Sequence, residues 1–435
     1  VLLIKVFSIA TEEDLEPLVE WRRRMGWTVE VVRVASQTAN TIRNVIIDAY
    51  EEWENPPEHV VICGDTQGPN NRNPFPRGFF DARVNANYPY ETDHQFAELE
   101  GDDFLPETTV GRLIFENRNM LRDIVAKTVL YESEPYIGEG DDFGWQKRAA
   151  VAAVDNRSGT SSIDICRWTR EMLLKYDYDQ VNEFYWDNQN QRPNVVNFIN
   201  TNFNDGISVY LHRGWTNMNG FDQPNIHSLR NDRMLPFVIL ATCNTGDYAE
   251  HIYDPNFSYT ERFSFDADGG AIGAVGFAGA SHTAYNNLLS ATVVKAFVND
   301  GIYSQGWALM KAKIALYRNY FERDDIDHLE NRGMEAWLCE YYIFNLMGDP
   351  VVDLFTDSPN LLIVEAPEQI TTGTSTFETT ITFEDGEEPV EDALVCLYKP
   401  GEFQLATRTD SEGFARFNLD PDWTQDGEIQ LTVTG

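Results

Sequence analysis

The chain has few cysteines, few lysines and no long apolar run. Its five cysteines are scattered, lack the C-x-x-C spacing of zinc sites, and leave at least one free thiol because their number is odd. No stretch approaches the ~18–20 apolar residues of a membrane helix, and no signal peptide is visible. Only 8 of the 33 basic residues are lysines. The sequence therefore disfavours a zinc site and predicts no membrane span.

Acidic residues dominate the charge. The 70 acidic against 33 basic residues give a net charge of −37. This disfavours nucleic acid as a partner, because phosphates are bound by clustered Lys and Arg. The acidic groups are spread along the whole chain, which is typical of a solvated surface, with bound cations or basic substrates as alternatives. The 435 residues, 42% of them hydrophobic, are enough for two or three folded domains.

Apolar runs alternate with helical patterns through the first 358 residues. Strands are predicted at 2–7, 28–34 and 60–63, with helices between them. This alternation predicts an α/β fold, a sheet with a layer of helices on each face. We divide this part into an N-terminal subdomain, 1–148, and a second subdomain, 149–358.

The pattern changes after Pro359. Alternating residues in 377–383, a second short run at 393–398 and turn signals between them predict short strands without helices. Residues 359–435 are therefore predicted to form an all-β sandwich of the immunoglobulin type.

Three apolar runs in the second subdomain each end on a reactive polar residue. The runs are 151–154 before Asp155, 207–211 before His212, and 237–242 before Cys243. Ligands bind beyond the carboxyl ends of parallel strands, so an acid, an imidazole and a thiol are predicted along one sheet edge. That set suits a thiol nucleophile with a base and an orienting acid.

Each of these residues also has a purely structural interpretation. A strand cysteine is usually buried and inert, as predicted for the other four cysteines, but polar turn-forming residues follow Cys243 and favour exposure. His212 could bond only to backbone, with His227 and His251 as competing bases, and Asp155 could cap a helix. The amides of Gly214 and Cys243 are the candidate donors to an oxyanion.

Two acidic features suggest binding sites. Asp164 lies at the start of a predicted helix, where it either caps the helix or forms the floor of a pocket for a cationic side chain. Residues 92–103 are rich in oxygen donors, including Asp93, Asp102 and Asp103. This segment is either a solvated acidic loop or a calcium site without the spacing of an EF-hand.

Several ordered segments together resemble the gingipain family of secreted bacterial cysteine peptidases. They are the helix and strand of 18–30, the apolar-Gly-Asp end of 60–65, residues 101–107 with 110–112, the nucleophile segment 242–248, and the Gly-Asp-Pro of 345–350. The tail from about 361 resembles the immunoglobulin-like domain of that family.

The resemblance implies a caspase-like three-layer α/β/α fold in two subdomains and a secreted or surface-bound bacterial endopeptidase. It implies protein or peptide substrates, structural calcium, no catalytic cofactor and a propeptide that is removed. Cys243 matches the family's nucleophile, Asp155 its acidic third member, and Asp164 lies near the acid that favours basic P1 residues.

One departure from the family concerns the histidine. The family has Gly-His-Gly, whereas this chain has Leu211-His-Arg-Gly214, so an ungapped match puts Arg213 in the histidine position. Either a bulge re-aims His212, another histidine serves, or the site is inactive. The alternatives to an endopeptidase are therefore a binding or adhesion protein that keeps the fold, and a surface transpeptidase.

Overall fold

The computed structural model describes most of the chain. The described residues are 2–6, 12–34, 38–64, 79–80, 91–101, 103–137, 144–154, 160–186, 192–249, 257–321, 323, 330–331, 334–384, 386, 388–420 and 426–434. They form two compact units. The larger comprises Val1–Leu15 and Val31–Ser358, and the smaller comprises Glu16–Glu30 and Pro359–Gly435.

Strands and helices alternate in the larger unit. Its strands are β1 (Leu2–Val6), β2 (Glu30–Val34), β3 (His59–Cys63), β4 (Phe79–Phe80), β5 (Glu91–Thr92), β6 (Thr109–Leu113), β7 (Arg148–Val154), β8 (Gln180–Trp186), β9 (Val209–Thr216), β10 (Phe237–Cys243), β11 (Gly273–Phe277), β12 (Glu330–Asn331), β13 (Met334–Glu335) and β14 (Phe344–Gly348). The helices are α1 (Glu12–Arg24), α2 (Ala39–Glu52), α3 (Arg118–Ser133), α4 (Ser161–Lys175), α5 (Arg192–Asn204), α6 (Gln223–His227), α7 (Tyr259–Phe265), α8 (Thr283–Asn299), α9 (Gln305–Tyr320) and α10 (Ala336–Ile343). Residues 16–24 of α1 belong to the smaller unit. In the part of the chain that the structure describes, no helix combines the length and apolarity needed to cross a bilayer.

Ten strands form one mixed sheet in the order β2-β1-β3-β6-β14-β11-β10-β9-β7-β8. The pairings from β1 to β14 are parallel, as are those from β11 to β8, whereas β11 and β14 run antiparallel. The α/β fold is as predicted, although the sheet is mixed rather than wholly parallel. Because β7, β9, β10 and β11 are parallel, their carboxyl ends meet at one edge.

Side chains alternate between the two faces of this sheet. On one face, which we call the α8 face, strand residues Val209, Leu211, Ile239 and Ala241 share a core with Cys166 of α4 and Leu289 of α8. On the opposite face, the α7 face, Tyr210, Val238 and Leu240 pack with Phe203 of α5 and Phe263 of α7. The face that a strand residue occupies therefore decides which groups it can meet.

The smaller unit is built on strands. They are β15 (Leu362–Glu365), β16 (Thr376–Phe383), β17 (Leu394–Lys399), β18 (Phe403–Arg408), β19 (Phe414–Asn418) and β20 (Gln430–Thr434). They pair antiparallel as two three-stranded sheets, β15-β16-β19 and β18-β17-β20. Phe377, Ile381, Val395, Leu397 and Phe417 form a shared buried core. The short alternating strands were predicted from sequence, and their assignment to the immunoglobulin type stays a prediction.

Candidate active site

Cys243 is the last residue of β10, at the sheet edge where the parallel strands end. It is half-buried, whereas the other four cysteines are buried, as predicted. Its Sγ accepts hydrogen bonds from the Ser281 N–H at 3.2 Å and the Ser281 O–H at 3.5 Å, and as a thiol it can donate to the Ser281 carbonyl at 3.4 Å. Asn286 Nδ2 donates to Ser281 Oγ at 2.9 Å, which orients that hydroxyl. The sulfur therefore has two donors ready for a developing thiolate.

His212 lies on the α7 face, away from the face of Cys243. The sequence predicted that the strand stops at Leu211, but β9 continues to Thr216, so His212 is inside the strand. It is fully buried, its Nδ1 is 2.9 Å from the Tyr210 hydroxyl, and its ring lies 5.7 Å from that of Trp186. Burial, with a smaller contribution from Arg213, lowers the pKa of His212 to about 3. The described structure therefore does not bring His212 to Cys243.

Arg213 occupies the α8 face, the one that Cys243 shares. Its register partner is Ala241, and the pairing shifts between Ala241 and Cys243, where β9 carries the irregularity. The side chain is fully buried. Its Nε and one terminal nitrogen donate to Asn287 Oδ1 at 3.0 and 2.7 Å, and the other terminal nitrogen donates to the Ala241 carbonyl. Strand alternation thus places the guanidinium of Arg213, held by three hydrogen bonds, on the face that Cys243 shares.

Arg213 is cationic near neutral pH. Burial lowers its pKa to about 10, and the nearby ionisable groups of Cys166, Glu340 and Cys243 oppose that shift. A guanidinium with this pKa remains protonated at pH 7. It can attract negative charge that forms on sulfur, but it does not act as a base.

The Arg213 clamp leads to a stability prediction. Replacing Asn287 by leucine should lower the free energy of unfolding by about 2–4 kcal/mol, because a buried guanidinium loses two hydrogen bonds. Urea unfolding with an unchanged m-value measures this. The control is Asn319→Leu on α9, whose amide bonds only the Ala315 carbonyl at the surface and whose loss should stay within about 0.5 kcal/mol. Equal losses for both variants would contradict the clamp.

Glu340 of α10 is a second ionisable group on this face, and it is also fully buried. One carboxylate oxygen accepts a hydrogen bond from the His282 N–H, while Oε2 has no hydrogen-bond partner among the described residues. Burial raises the pKa of Glu340 well above its usual value; the charge of Cys243 adds to this, and the His282 N–H and Arg213 oppose it. Two successive backbone amides therefore bond two different groups: the Ser281 N–H donates to the Cys243 thiol, and the His282 N–H donates to the buried Glu340 carboxyl.

Of the other predicted site residues, the structure describes His227, Gly214 and Asp164. Asp155 and His251 lie outside the described residues. His227 ends α6 and pairs with Asp266, with its Nδ1 2.9 Å from that carboxylate. Gly214 lies in β9 between Arg213, which pairs with Ala241, and Thr216, which pairs with Cys243. A Cβ on Gly214 would come within 2.7 Å of Asn219 Nδ2, so a larger residue would require that side chain to shift. Asp164 is in the first turn of α4 with an exposed side chain.

The two candidate calcium ligands that the structure describes bond to other groups of the protein. Asp93 is buried, and its two oxygens accept hydrogen bonds from Arg112, at 2.8 Å from Nε, and from the Tyr248 hydroxyl at 3.0 Å. A cation there would have to displace a buried guanidinium. Asp103 is exposed and bonds the Leu105 amide, and Asp102 lies outside the described residues. Among the residues described, no group of three or more His, Cys, Asp or Glu is placed to hold a metal.

Comparison with known proteins decides the family. The model of Peptidase family C25 matches residues 3–355. The chain belongs to Peptidase family C25. Two gingipain R2 sequences from Porphyromonas gingivalis strains are 23% and 22% identical to it over 98% and 100% of the chain, but it covers only 54% and 55% of theirs. The chain thus spans about half the length of the curated relatives it matches.

Solved structures agree with this membership of family C25. The Arg-specific cysteine proteinase gingipain R superposes with a TM-score of 0.81 at 20% identity, covering 100% of this chain and 94% of that one. A complex of the pro- and mature domains of Porphyromonas gingivalis RgpB gives 0.80 at 20% identity, covering 100% and 96%. At this identity the likeness shows the fold. The family match confirms the peptidase family that the sequence predicted.

The C25 site contains residues that the sequence argument missed. Ser281, Asn286, Asn287 and Glu340 surround the α8 face beside Cys243. A signal for the first three exists, because they follow β11, which is parallel to β10 and ends at the same edge. Glu340 lies in an apolar helix, where the pattern alone gives no indication of a site.

Proposed function

We propose that this protein is a cysteine endopeptidase whose nucleophile is Cys243. The observation that carries the proposal is the position of this thiol. It is the partly exposed cysteine at the carboxyl end of a central strand, and it is held by two donors from Ser281. A thiolate so placed would attack a substrate carbonyl that enters beyond the sheet edge.

The reaction would form a sulfur–carbon bond, expel the amine of the scissile peptide, and end when water hydrolyses the thioester. The amides of Gly214 and Cys243 would hold the oxyanion. Arg213 would hold negative charge on the sulfur without exchanging a proton. The leaving amine must then take its proton from another group. His212 cannot donate it, because its side chain lies on the opposite face of the sheet from Cys243.

Basic P1 residues are the proposed preference, supported by the net charge of −37 and by the Arg-specific proteinase of the same fold. If Asp164 receives the P1 side chain, Asp164→Asn should reduce kcat/KM for an Arg substrate about tenfold relative to a neutral one, ~1.4 kcal/mol of transition-state binding. The current partner of Asp164 is Arg167 at 3.8 Å, a surface pair that a substrate can replace.

Paired fluorogenic peptides that differ only at P1 measure this ratio. Glu171→Gln, a charge-neutralising change on the same helix, is the control for a general effect of surface charge. If the ratio of kcat/KM for the Arg peptide to that for the neutral peptide is unchanged in the Asp164 variant, Asp164 does not line the pocket for the P1 side chain. It then only stabilises the N-terminus of α4.

Secretion or surface attachment, removal of a propeptide and an immunoglobulin-type tail are parts of the same proposal. The relatives are gingipains, and one related structure pairs the pro- and mature domains of RgpB. Two packed antiparallel sheets in the smaller unit support the tail assignment. Expression of a longer precursor, with mass analysis of the secreted product, would show whether a segment is removed.

A peptidase-fold binding protein is the second candidate, and one observation favours it. Arg213 rather than a histidine shares the face of Cys243. A guanidinium with a pKa of about 10 does not exchange a proton near neutral pH as an imidazole does. Incubation with peptides, followed by product analysis with and without an added amine, separates the candidates. Hydrolysis supports the endopeptidase, amide exchange supports a transpeptidase, and retention of intact peptide supports the binding protein.

A further inference from the structure

A cavity in the larger unit ends against a buried lysine. Its volume, measured as the space open to the centre of a water molecule, is about 30 Å³. It lies between α9, the start of β6 and β14. The lining includes His94, Thr109, Met310, Lys313, Phe344 and Leu346. One water needs roughly 10–15 Å³ by this measure, so the cavity suits a molecule of two or three heavy atoms.

Lys313 is an isolated amine at the wall of this cavity. Its side chain is 4% exposed, and it has no hydrogen bond or ion pair with any residue in the described part of the chain. Its Nζ lies 5.9 Å from the centre of the Tyr341 ring. The titratable groups facing it are Asp93, His94 and Glu98 from before β6, and Tyr341 from α10. Burial lowers the pKa of Lys313 to about 7, against the charges of Asp93 and Glu98.

Two other lysines show what is particular to Lys313. Burial also lowers the pKa of Lys127 to about 7, but its Nζ donates to the carbonyls of Asp266 and Gly269 at 3.0 and 3.3 Å. Lys311, two residues from Lys313 on α9, is partly exposed and pairs with Asp300 at 2.6 Å. Lys127 also lines a cavity. What distinguishes Lys313 is a buried amine with no hydrogen bond or ion pair among the described residues.

We propose that Lys313 is a nucleophilic amine that forms Schiff bases with small neutral aldehydes or ketones entering this cavity. The Nζ lone pair bonds to the carbonyl carbon, a proton passes from nitrogen to oxygen, and loss of water leaves an imine. Nothing is oxidised or reduced. A small neutral carbonyl compound suits the site because the cavity is narrow and its lining combines apolar side chains with the polar groups of Thr109 and Asn345. The site is separate from Cys243, and the proposal does not depend on peptidase activity.

Reductive labelling with acetaldehyde and sodium cyanoborohydride at pH 7, with peptide mass spectrometry, tests the proposal. The reductant converts each imine to an ethylamine, so initial rates are read lysine by lysine. About half of Lys313 is free base at pH 7, against a few in ten thousand of an ordinary lysine. We expect Lys313 to be labelled about tenfold or more faster than Lys311, with a rate that rises through pH 7 and then levels.

The controls make the result decisive. Lys127 should be labelled more slowly than Lys313 because its amine is engaged, and pyridoxal should label Lys311 but not Lys313 because the cavity is narrow. Equal rates for Lys313 and Lys311 would overturn the proposal. Equal rates for Lys313 and Lys127 would overturn it too, since burial alone would then explain the reactivity. Running both wild type and Cys243→Ala keeps the result independent of the proposed peptidase.

Discussion

Cys243→Ala should abolish peptide hydrolysis while leaving the protein folded. Removal of a hydrolase nucleophile typically costs roughly 10⁴- to 10⁶-fold in kcat. The loss of fold should be small, because Cys243 is half-buried and its sulfur bonds only to Ser281 among the described residues. Progress curves with a fluorogenic peptide, together with circular dichroism of the same samples, measure both effects.

Native alkylation gives an independent check on the same residue. Iodoacetamide should label Cys243 alone, because the other four cysteines are buried. Cys166→Ala is the matched control, a buried cysteine of the α8 face whose loss should leave both hydrolysis and labelling unchanged. Full hydrolysis by the Cys243→Ala variant would overturn the proposed nucleophile.

Arg213→His should raise the rate of Cys243-dependent hydrolysis. The substitution puts an imidazole on the α8 face, which Cys243 shares, and positioned acid–base catalysis contributes roughly 10²- to 10⁴-fold. We expect a gain toward the lower end, about 10²-fold, because Asn287 and the Ala241 carbonyl are arranged for a guanidinium. The pH profile of kcat/KM should acquire a limb that titrates in the histidine range.

The controls separate proton transfer from simple loss of charge. Arg213→Met removes the guanidinium without supplying a base and should show no gain. His212→Phe should leave kcat/KM per folded molecule unchanged, although loss of the contact to the Tyr210 hydroxyl should cost about 1–3 kcal/mol of stability. If His212→Phe abolishes hydrolysis instead, β9 must rearrange in the working enzyme and His212 is its base.

The contrast between these neighbouring residues shows why the site was only partly predictable. The apolar run at 207–211 correctly indicates a strand, but hydrophobicity cannot show that the strand continues through polar residues to Thr216. Once the strand continues, side-chain alternation assigns His212 to one face and Arg213 to the other. A boundary error of a few residues therefore changes the apparent chemistry of the site.

The acidic segment shows a second limit. The segment around Asp93 is rich in acidic residues, so its composition suggests a cation site. Its actual partner, Arg112, follows 19 residues later on β6, and the pair is buried together with Tyr248. Composition counts potential ligands but cannot tell whether a guanidinium already occupies them.

By itself, the sequence determined the α/β class, the strands of the second subdomain, the family and the cysteine at the strand end. These depend on local periodicity and on ordered motifs, which the chain carries in linear form. The tertiary structure alone decided the partners of Cys243 and the isolation of Lys313. Ser281 lies 38 residues from Cys243, and Asn287 lies 74 residues from Arg213. Such contacts depend on sheet order, strand length and face, which are set by packing across the whole core rather than by any local pattern.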